Sequence, residues 1–154
     1  MTAELYPKAD ECNCLAVRQA ARHITQFYDQ FLAPSGLRAT QFSILAKLRR
    51  LGPMTINALA EELVMDRTTL GRNILPLERE GLIDVVPGRR DRRSKELQLS
   101  EAGTARLRSA IKGWAQAQEQ FETVFGARRT KDLRALLHTV SATELEAAGA
   151  TAGV

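Results

Sequence analysis

Residues 55–81 read TINALAEELVMDRTTLGRNILPLEREG, and their pattern predicts the fold class. Thr55 can cap a short helix, and Asp66, which follows a turn of about three residues, is a favourable N-cap for a second helix. Gly81 can end the second helix in the left-handed conformation. An apolar stripe at helical spacing marks the buried face of the second helix, formed by Leu70, Ile74 and Leu77. Two short helices with so tight a turn predict a helix-turn-helix.

The residues that follow predict a β-hairpin. Residues 82–87, LIDVVP, and residues 95–100, KELQLS, have strand character, and the second segment alternates polar and apolar side chains. Between them, residues 88–94 read GRRDRRS and form the tip. A helix-turn-helix followed by a hairpin is a winged helix, so we expect a mainly α fold with a small β-hairpin wing.

Helical periodicity continues on both sides of this winged helix. Apolar spacing predicts a first helix over about residues 14–32 and a next helix capped by Thr40. After the wing, Ser100 can cap a helix of about 25 residues, and Thr130 can open a last helix. The long helix has a heptad-like seam of Leu107, Ala110, Trp114, Ala117, Phe121 and Val124. Such a seam favours a dimer over an intramolecular core, because so small a domain offers it little apolar cover.

The composition fits one globular domain, and the charge suggests an acidic partner. The 154 residues are 44% hydrophobic and 26% charged, and the net charge is +4. A basic balance points to nucleic acid or a membrane surface. The first residues, MTAELYPKAD, lack the apolar core of a signal peptide, and no stretch approaches the roughly 20 apolar residues that span a bilayer. We therefore expect a cytoplasmic protein.

The polar face of the second helix of the helix-turn-helix carries side chains that can read a major groove. They are Arg67, Thr68, Thr69, Arg72 and Asn73. Every surface helix has a solvated polar face, which is the plainer interpretation, but the preceding helix and turn favour DNA. Pro76 removes one hydrogen bond inside this helix, so we expect a kink there, with the reading done by the half before it.

Positive charge concentrates in the predicted wing. The thirty residues from Asp66 to Lys95 contain eight basic and five acidic side chains, so their net charge of +3 is most of the total of +4. The tip carries one acid, Asp91, among Arg89, Arg90, Arg92 and Arg93. An arginine at a hairpin tip can enter the minor groove, and its neighbours can bind phosphates. A solvated loop would be preferred for an isolated charge run, but the preceding helix-turn-helix favours DNA.

The block over residues 59–103 resembles the centre of the MarR (multiple antibiotic resistance regulator) family of winged-helix repressors. It reads LAEELVMDRTTLGRNILPLEREGLIDVVPGRRDRRSKELQLSEAG. The likeness lies in the hydrophobic rhythm, the glycine that closes the recognition helix, and the pair Asp91 and Arg93 followed by a strand and LS-E-A-G. It extends in weaker form over nearly the whole chain. The family's recognition helix rarely contains an interior proline such as Pro76, which leaves the docking angle open.

The resemblance implies how the whole molecule is organised. Within a single domain over residues 1–154, about residues 40–100 would form the DNA-binding lobe, and about residues 10–35 and 101–146 would form dimerisation helices. It implies an obligate homodimer built by the first, fifth and sixth helices, a pseudo-palindromic operator, and relief of repression by a small ligand. It also implies that Asp91 holds the Arg93 guanidinium in place for the minor groove.

Cys12 and Cys14 suggest a second mode of control. Some MarR-like peroxide sensors carry a reactive cysteine near this place, and a helix N-terminus favours the thiolate. Two inert cysteines are the alternative. A disulfide within the pair is disfavoured because residues two apart on a helix point to different sides, whereas a disulfide across a dimer stays open. A thiol-based repressor is therefore an alternative to a ligand-responsive one.

The remaining polar motifs indicate no chemistry of their own. Arg22, His23 and Tyr28 could line an effector pocket, although packing or surface roles are commoner for single helical residues. No phosphate loop, zinc protease motif or dinucleotide fingerprint occurs, and Cys12, Cys14 and His23 lack a fourth metal ligand. We expect no enzymatic activity, cofactor or metal.

A winged-helix protein-interaction module is the remaining alternative, but it needs no arginines on both the wing and the recognition helix.

Overall fold

A computed structural model of the chain describes residue 6 and residues 8–147. Six α-helices lie in this described part, and they are α1 (Asn13–Leu32), α2 (Ala39–Leu51), α3 (Ile56–Glu62), α4 (Arg67–Arg79), α5 (Glu101–Phe125) and α6 (Ala127–Ala142). Its strands are β1 (Met54–Thr55), β2 (Ile83–Pro87) and β3 (Lys95–Leu99). The chain forms two compact units, Met1–Ala117 and Gln118–Val154. The first unit contains the winged helix, and the second contains the end of α5 and all of α6.

The predicted hairpin is confirmed, and a third strand joins it. Strands β2 and β3 pair antiparallel from Ile83 opposite Leu99 to Pro87 opposite Lys95. Strand β1 pairs with the other edge of β3, so the order is β1-β3-β2. The sequence did not predict β1, because two residues are too few to show the alternation that marks a strand. Strand β1 therefore connects the wing to the start of the helix-turn-helix.

Both predicted caps of the helix-turn-helix are confirmed. The Thr55 hydroxyl accepts the N–H of Ala58 at 3.2 Å, and the Asp66 carboxylate accepts the N–H of Thr69 at 2.8 Å. Helix α4 continues through Pro76 to Arg79, and the kink expected there stays a prediction. The stripe of α4 is buried as predicted, in a core with Leu45, Leu59, Leu82 and other aliphatic side chains. Full burial of each such leucine stabilises the fold by about 2 kcal/mol.

Glycine lets α5 lie directly against backbone. A Cβ added to Gly103 would overlap the carbonyl oxygen of Leu82, and one added to Gly113 would overlap that of Phe31. The Ser100 hydroxyl caps α5 as predicted by accepting the N–H of Gly103 at 2.9 Å. The glycine of the LS-E-A-G motif is therefore a packing residue at the junction of the wing and α5.

Two predicted helix starts are wrong. Helix α2 begins at Ala39, not after Thr40, and Arg38 is its N-cap. The Asp29 carboxylate of α1 accepts the Ala39 N–H at 2.7 Å, and the Gln41 side chain accepts the Arg38 N–H at 3.0 Å. Helix α6 begins at Ala127, because Gly126 turns the chain with φ 103° and acts as the N-cap. Thr130, the predicted start, is buried in the first turn of α6. Neither helix uses as its N-cap the threonine that the sequence predicted.

Candidate nucleic-acid interface

The first half of α4 presents the predicted polar residues in two groups. Among the residues that the structure describes, the side chains of Arg67, Thr68 and Arg72 are exposed and make no hydrogen bond or ion pair. Thr69 and Asn73 are engaged locally. The Thr69 hydroxyl donates to Asp66 Oδ2 at 2.5 Å, and the Asn73 amide donates to the Thr69 carbonyl at 2.9 Å. Three side chains are thus available to a ligand, and two stabilise the helix that carries them.

The carboxylate of Asp66, the N-cap of α4, is stabilised in its charged form. The hydrogen bond from the Thr69 hydroxyl, followed by the bond from the Thr69 amide, holds the pKa of the Asp66 carboxyl below its usual range. A carboxylate with a lowered folded-state pKa stabilises the fold above its unfolded-state pKa. That contribution is lost as the pH falls through the folded-state pKa, so the cap is complete at neutral pH.

The wing tip is a closed turn organised by Asp91. The Asp91 carboxylate accepts the backbone N–H of Arg93 at 3.0 Å, and its carbonyl accepts the Ser94 N–H at 3.1 Å and the Ser94 hydroxyl at 2.7 Å. The Gly88 N–H closes the turn by donating to the Ser94 carbonyl at 2.8 Å. The expected contact between Asp91 and the Arg93 guanidinium is replaced here by a contact with the Arg93 backbone. Asp91 therefore fixes the path of the chain at Arg93.

The four wing arginines fall into two classes. Within residues 8–147, the guanidinium groups of Arg90, Arg92 and Arg93 are exposed and have no hydrogen-bonding or ionic partner. Arg89 instead contacts Glu96 through its side chain. The sequence could not separate these classes, because the four residues are chemically identical and share one loop.

Comparison with known proteins identifies the family. The pattern that defines the MarR family matches residues 37–95. The HTH-type transcriptional regulator PecS of Dickeya dadantii is 30% identical over 120 residues, which cover 76% of this chain and 72% of PecS. The chain belongs to the MarR family. The predicted resemblance and the winged-helix fold are confirmed.

Solved structures of MarR-family regulators agree with this membership. The transcriptional regulator MosR of M. tuberculosis, solved in complex with DNA, is 37% identical with a TM-score of 0.74, and the match covers 88% of this chain and 100% of MosR. The transcriptional repressor CouR, bound to a 23-mer DNA duplex, is 26% identical with a TM-score of 0.76, over 86% of this chain and 94% of CouR. These relatives are regulators and not enzymes, in agreement with the sequence prediction.

This MarR-family chain also has an apolar groove in its first unit. The groove has a volume of about 310 Å³, and its lining includes the aromatic residues Tyr28, Phe42 and Trp114 and the cations Lys47 and Arg50. The rings of Phe42 and Trp114 stack with centroids 6.0 Å apart. Of the predicted pocket residues only Tyr28 lies here, since Arg22 and His23 are exposed on α1 and are not part of the lining. The sequence missed the others because the groove is assembled from three separate helices.

The cysteines of this MarR-family chain lie at the start of α1. Cys12 is the N-cap of α1, and its Sγ accepts the N–H of Leu15 at 3.4 Å. Cys12 and Cys14 are both exposed free thiols. Among residue 6 and residues 8–147, no cluster of three or more His, Cys, Asp or Glu side chains is placed to hold a metal ion. In the same part of the chain, no helix has the length and apolar character required to cross a bilayer.

Proposed function

We propose that this MarR-family chain acts in the cytoplasm as a homodimeric, sequence-specific DNA-binding repressor. The observation that carries the proposal is the presence of two uncommitted cationic surfaces on one winged helix, the first half of α4 and the wing tip. Within the described part of the chain, five exposed arginines without ionic partners lie on these two surfaces, Arg67 and Arg72 on α4 and Arg90, Arg92 and Arg93 at the wing tip. DNA phosphates supply the negative charge that such surfaces lack.

The residues divide into base-reading and phosphate-binding roles. Helix α4 enters the major groove, where Arg67, Thr68 and Arg72 contact base edges and phosphates. Thr69 and Asn73 stabilise the helix in the free protein. They contact DNA when it displaces their hydrogen bonds to Asp66 and to the Thr69 carbonyl. At the wing, Arg93 enters the minor groove and Arg90 and Arg92 bind phosphates. Asp91 sets the position of Arg93 through the backbone.

Titration of labelled promoter DNA at several salt concentrations tests this function. Arg93→Ala is expected to weaken binding and to lessen its salt dependence, and Arg90→Ala is expected to lower the slope of log affinity against log salt by about 0.9, the value for one lost phosphate contact. Arg72→Ala is expected to change sequence preference more than Arg90→Ala does. Equal losses on specific and random DNA would refute the base-reading role of Arg72, and absence of binding by the parent protein at low salt would refute the function.

A small ligand bound in the groove would relieve repression. The groove volume of about 310 Å³ lies at the lower end of the range of roughly 300–1,000 Å³ for small-molecule sites. Its aromatic side chains offer apolar contact, and Lys47 and Arg50 offer charge to a polar group. Lys47 also forms an ion pair with Glu62 of α3 at 2.9 Å, so a ligand that contacts Lys47 would act on the helix-turn-helix directly.

Thiol oxidation is a second candidate trigger, and the position of Cys12 favours it. An exposed sulfur that caps a helix accepts a backbone N–H and lies at the positive end of the helix dipole. Peroxide is then expected to release operator DNA from the parent protein but not from a Cys12→Ser, Cys14→Ser double variant. Equal release from the two proteins would eliminate this trigger while leaving DNA binding intact.

A further inference from the structure

Arg89 differs from the other wing arginines in what its side chain contacts. Its Nε donates to Glu96 Oε2 at 3.3 Å, and its Nη2 donates to the carbonyl oxygen of Pro53 at 3.2 Å. Its backbone N–H donates to Glu96 Oε1, also at 3.3 Å. Both carboxylate oxygens of Glu96 thus bind one arginine, whose guanidinium also reaches a carbonyl 36 residues away in the sequence.

The partners of Arg89 lie where the wing joins the helix-turn-helix. Glu96 is in β3, opposite Thr55 of β1 and Val86 of β2, and its side chain is only 12% exposed. Pro53 immediately precedes β1. Strand β1 pairs with β3 over two residues only, so its own ladder holds the wing weakly. The Arg89 contacts add a side-chain connection at this junction, and a partly buried carboxylate is a stronger partner than an exposed one.

We infer that Arg89 is a positioning residue that sets the angle of the wing, and not a phosphate contact. The inference rests on the proposed DNA-binding function and revises the prediction that Arg89 binds phosphates with Arg90 and Arg92. The Arg89 side chain is 70% exposed, but its Nε and Nη2 donate to Glu96 and Pro53. A phosphate that took these donors would leave the Glu96 carboxylate, which is only 12% exposed, without its cation. The contacts among Arg89, Glu96 and Pro53 fix the direction in which the tip leaves the sheet. This direction determines the position of Arg93. We refer to these contacts as the wing brace.

Glu96 separates a positional role from a purely electrostatic one. Glu96→Gln makes the wing more positive by one charge, so simple electrostatics predicts tighter DNA binding. The wing brace predicts the opposite, because a neutral amide is a weaker acceptor than a carboxylate for the guanidinium and offers one oxygen in place of two. The direction of the change in affinity therefore distinguishes the two explanations.

Operator titration at several salt concentrations, with the full chain, tests the inference. Arg90→Ala is the reference variant and is expected to lower the salt slope by about 0.9. Arg89→Ala is expected to weaken binding roughly three- to fivefold at every salt concentration without a change of slope, and Glu96→Gln to weaken it similarly. The double variant, Arg89→Ala with Glu96→Gln, is expected to bind operator as tightly as the single variant with the lower affinity, because both substitutions remove the same brace.

Hydrogen exchange without DNA measures the wing brace independently of the proposed function. The amides of Gly88 and Ser94 are expected to exchange faster in Arg89→Ala and Glu96→Gln than in the parent and in Arg90→Ala. Any one of three results would overturn the wing brace: a loss of salt slope in Arg89→Ala equal to that in Arg90→Ala, tighter operator binding by Glu96→Gln, or unchanged exchange rates at Gly88 and Ser94. A parent protein that bound no DNA would refute the proposed function, and the exchange rates would still decide whether the brace exists.

Discussion

Asp91 shows how one acidic residue can serve a basic surface. Its charge opposes the attraction of the neighbouring arginines for phosphate, but its carboxylate accepts the Arg93 N–H and its carbonyl closes the turn with Ser94. Removing the Asp91 side chain would strengthen DNA binding through charge, and it would weaken DNA binding through loss of the acceptor for the Arg93 N–H, while the backbone bonds to Ser94 remain. Because the Arg93 guanidinium must lie in a narrow groove, we expect geometry to prevail.

Asp91→Ala is therefore expected to bind operator roughly five- to tenfold more weakly than the parent, although the variant is more basic. Asp91→Asn is the matched control, because it removes the same charge but keeps an oxygen that can accept the Arg93 N–H. We expect Asp91→Asn to bind at least as tightly as the parent. Fluorescence anisotropy with one operator duplex measures all three proteins, and tighter binding by Asp91→Ala would show that charge dominates.

Between elements, the turn that joins α3 to α4 contains a residue, Val64, whose backbone conformation is strained. This β-branched residue has φ 50°, in the left-handed region, and it is 72% exposed. The left-handed conformation costs a non-glycine residue about 1–2 kcal/mol, and little burial compensates for it here. Helix-turn-helix turns often contain glycine at such a position. The strain is thus a local cost of joining two well-capped helices tightly.

Val64→Gly is expected to raise the free energy of unfolding by about 1 kcal/mol, which is the relieved strain less the entropy of an added glycine. Val64→Ala keeps a Cβ and most of the strain, so it should change the free energy of unfolding much less. Urea denaturation of the parent and both variants compares these values. A glycine variant less stable than the alanine variant would mean that the conformation of Val64 is not strained.

The sequence predicts elements well where their pattern is periodic or their cap is local. The stripe of α4, the cap at Asp66 and the hairpin strands all depend on neighbours within a few residues, and all are confirmed. Features made by distant residues were missed or misassigned. The start of α2 involves Asp29 of another helix, and the contacts of Arg89 involve Pro53 and Glu96. The residues that line the groove were missed for the same reason, because they come from three separate helices.

At the scale of the whole molecule, the second unit exposes aliphatic side chains that a solitary chain would normally cover. Leu136 is 66% exposed and Val140 is 51% exposed, and as residues four apart they share one face of α6. Val124, near the end of α5, is also exposed. Exposed apolar side chains that share one helix face favour an interface, and winged-helix regulators that read palindromic sites present two recognition helices. Both considerations favour a second copy of the chain as the partner.

Leu136→Glu combined with Val140→Glu is therefore expected to convert the proposed homodimer into a monomer, because each charge would be buried without a partner at the interface. The variant should lose more than roughly tenfold in operator affinity, since one recognition helix alone reads a half-site. Leu51→Glu is the control, because it places a glutamate on another exposed aliphatic position, at the end of α2, and should leave the mass unchanged. Sedimentation velocity gives the mass, and circular dichroism verifies that the variants remain folded. A monomeric parent at concentrations that saturate the operator would contradict the homodimer.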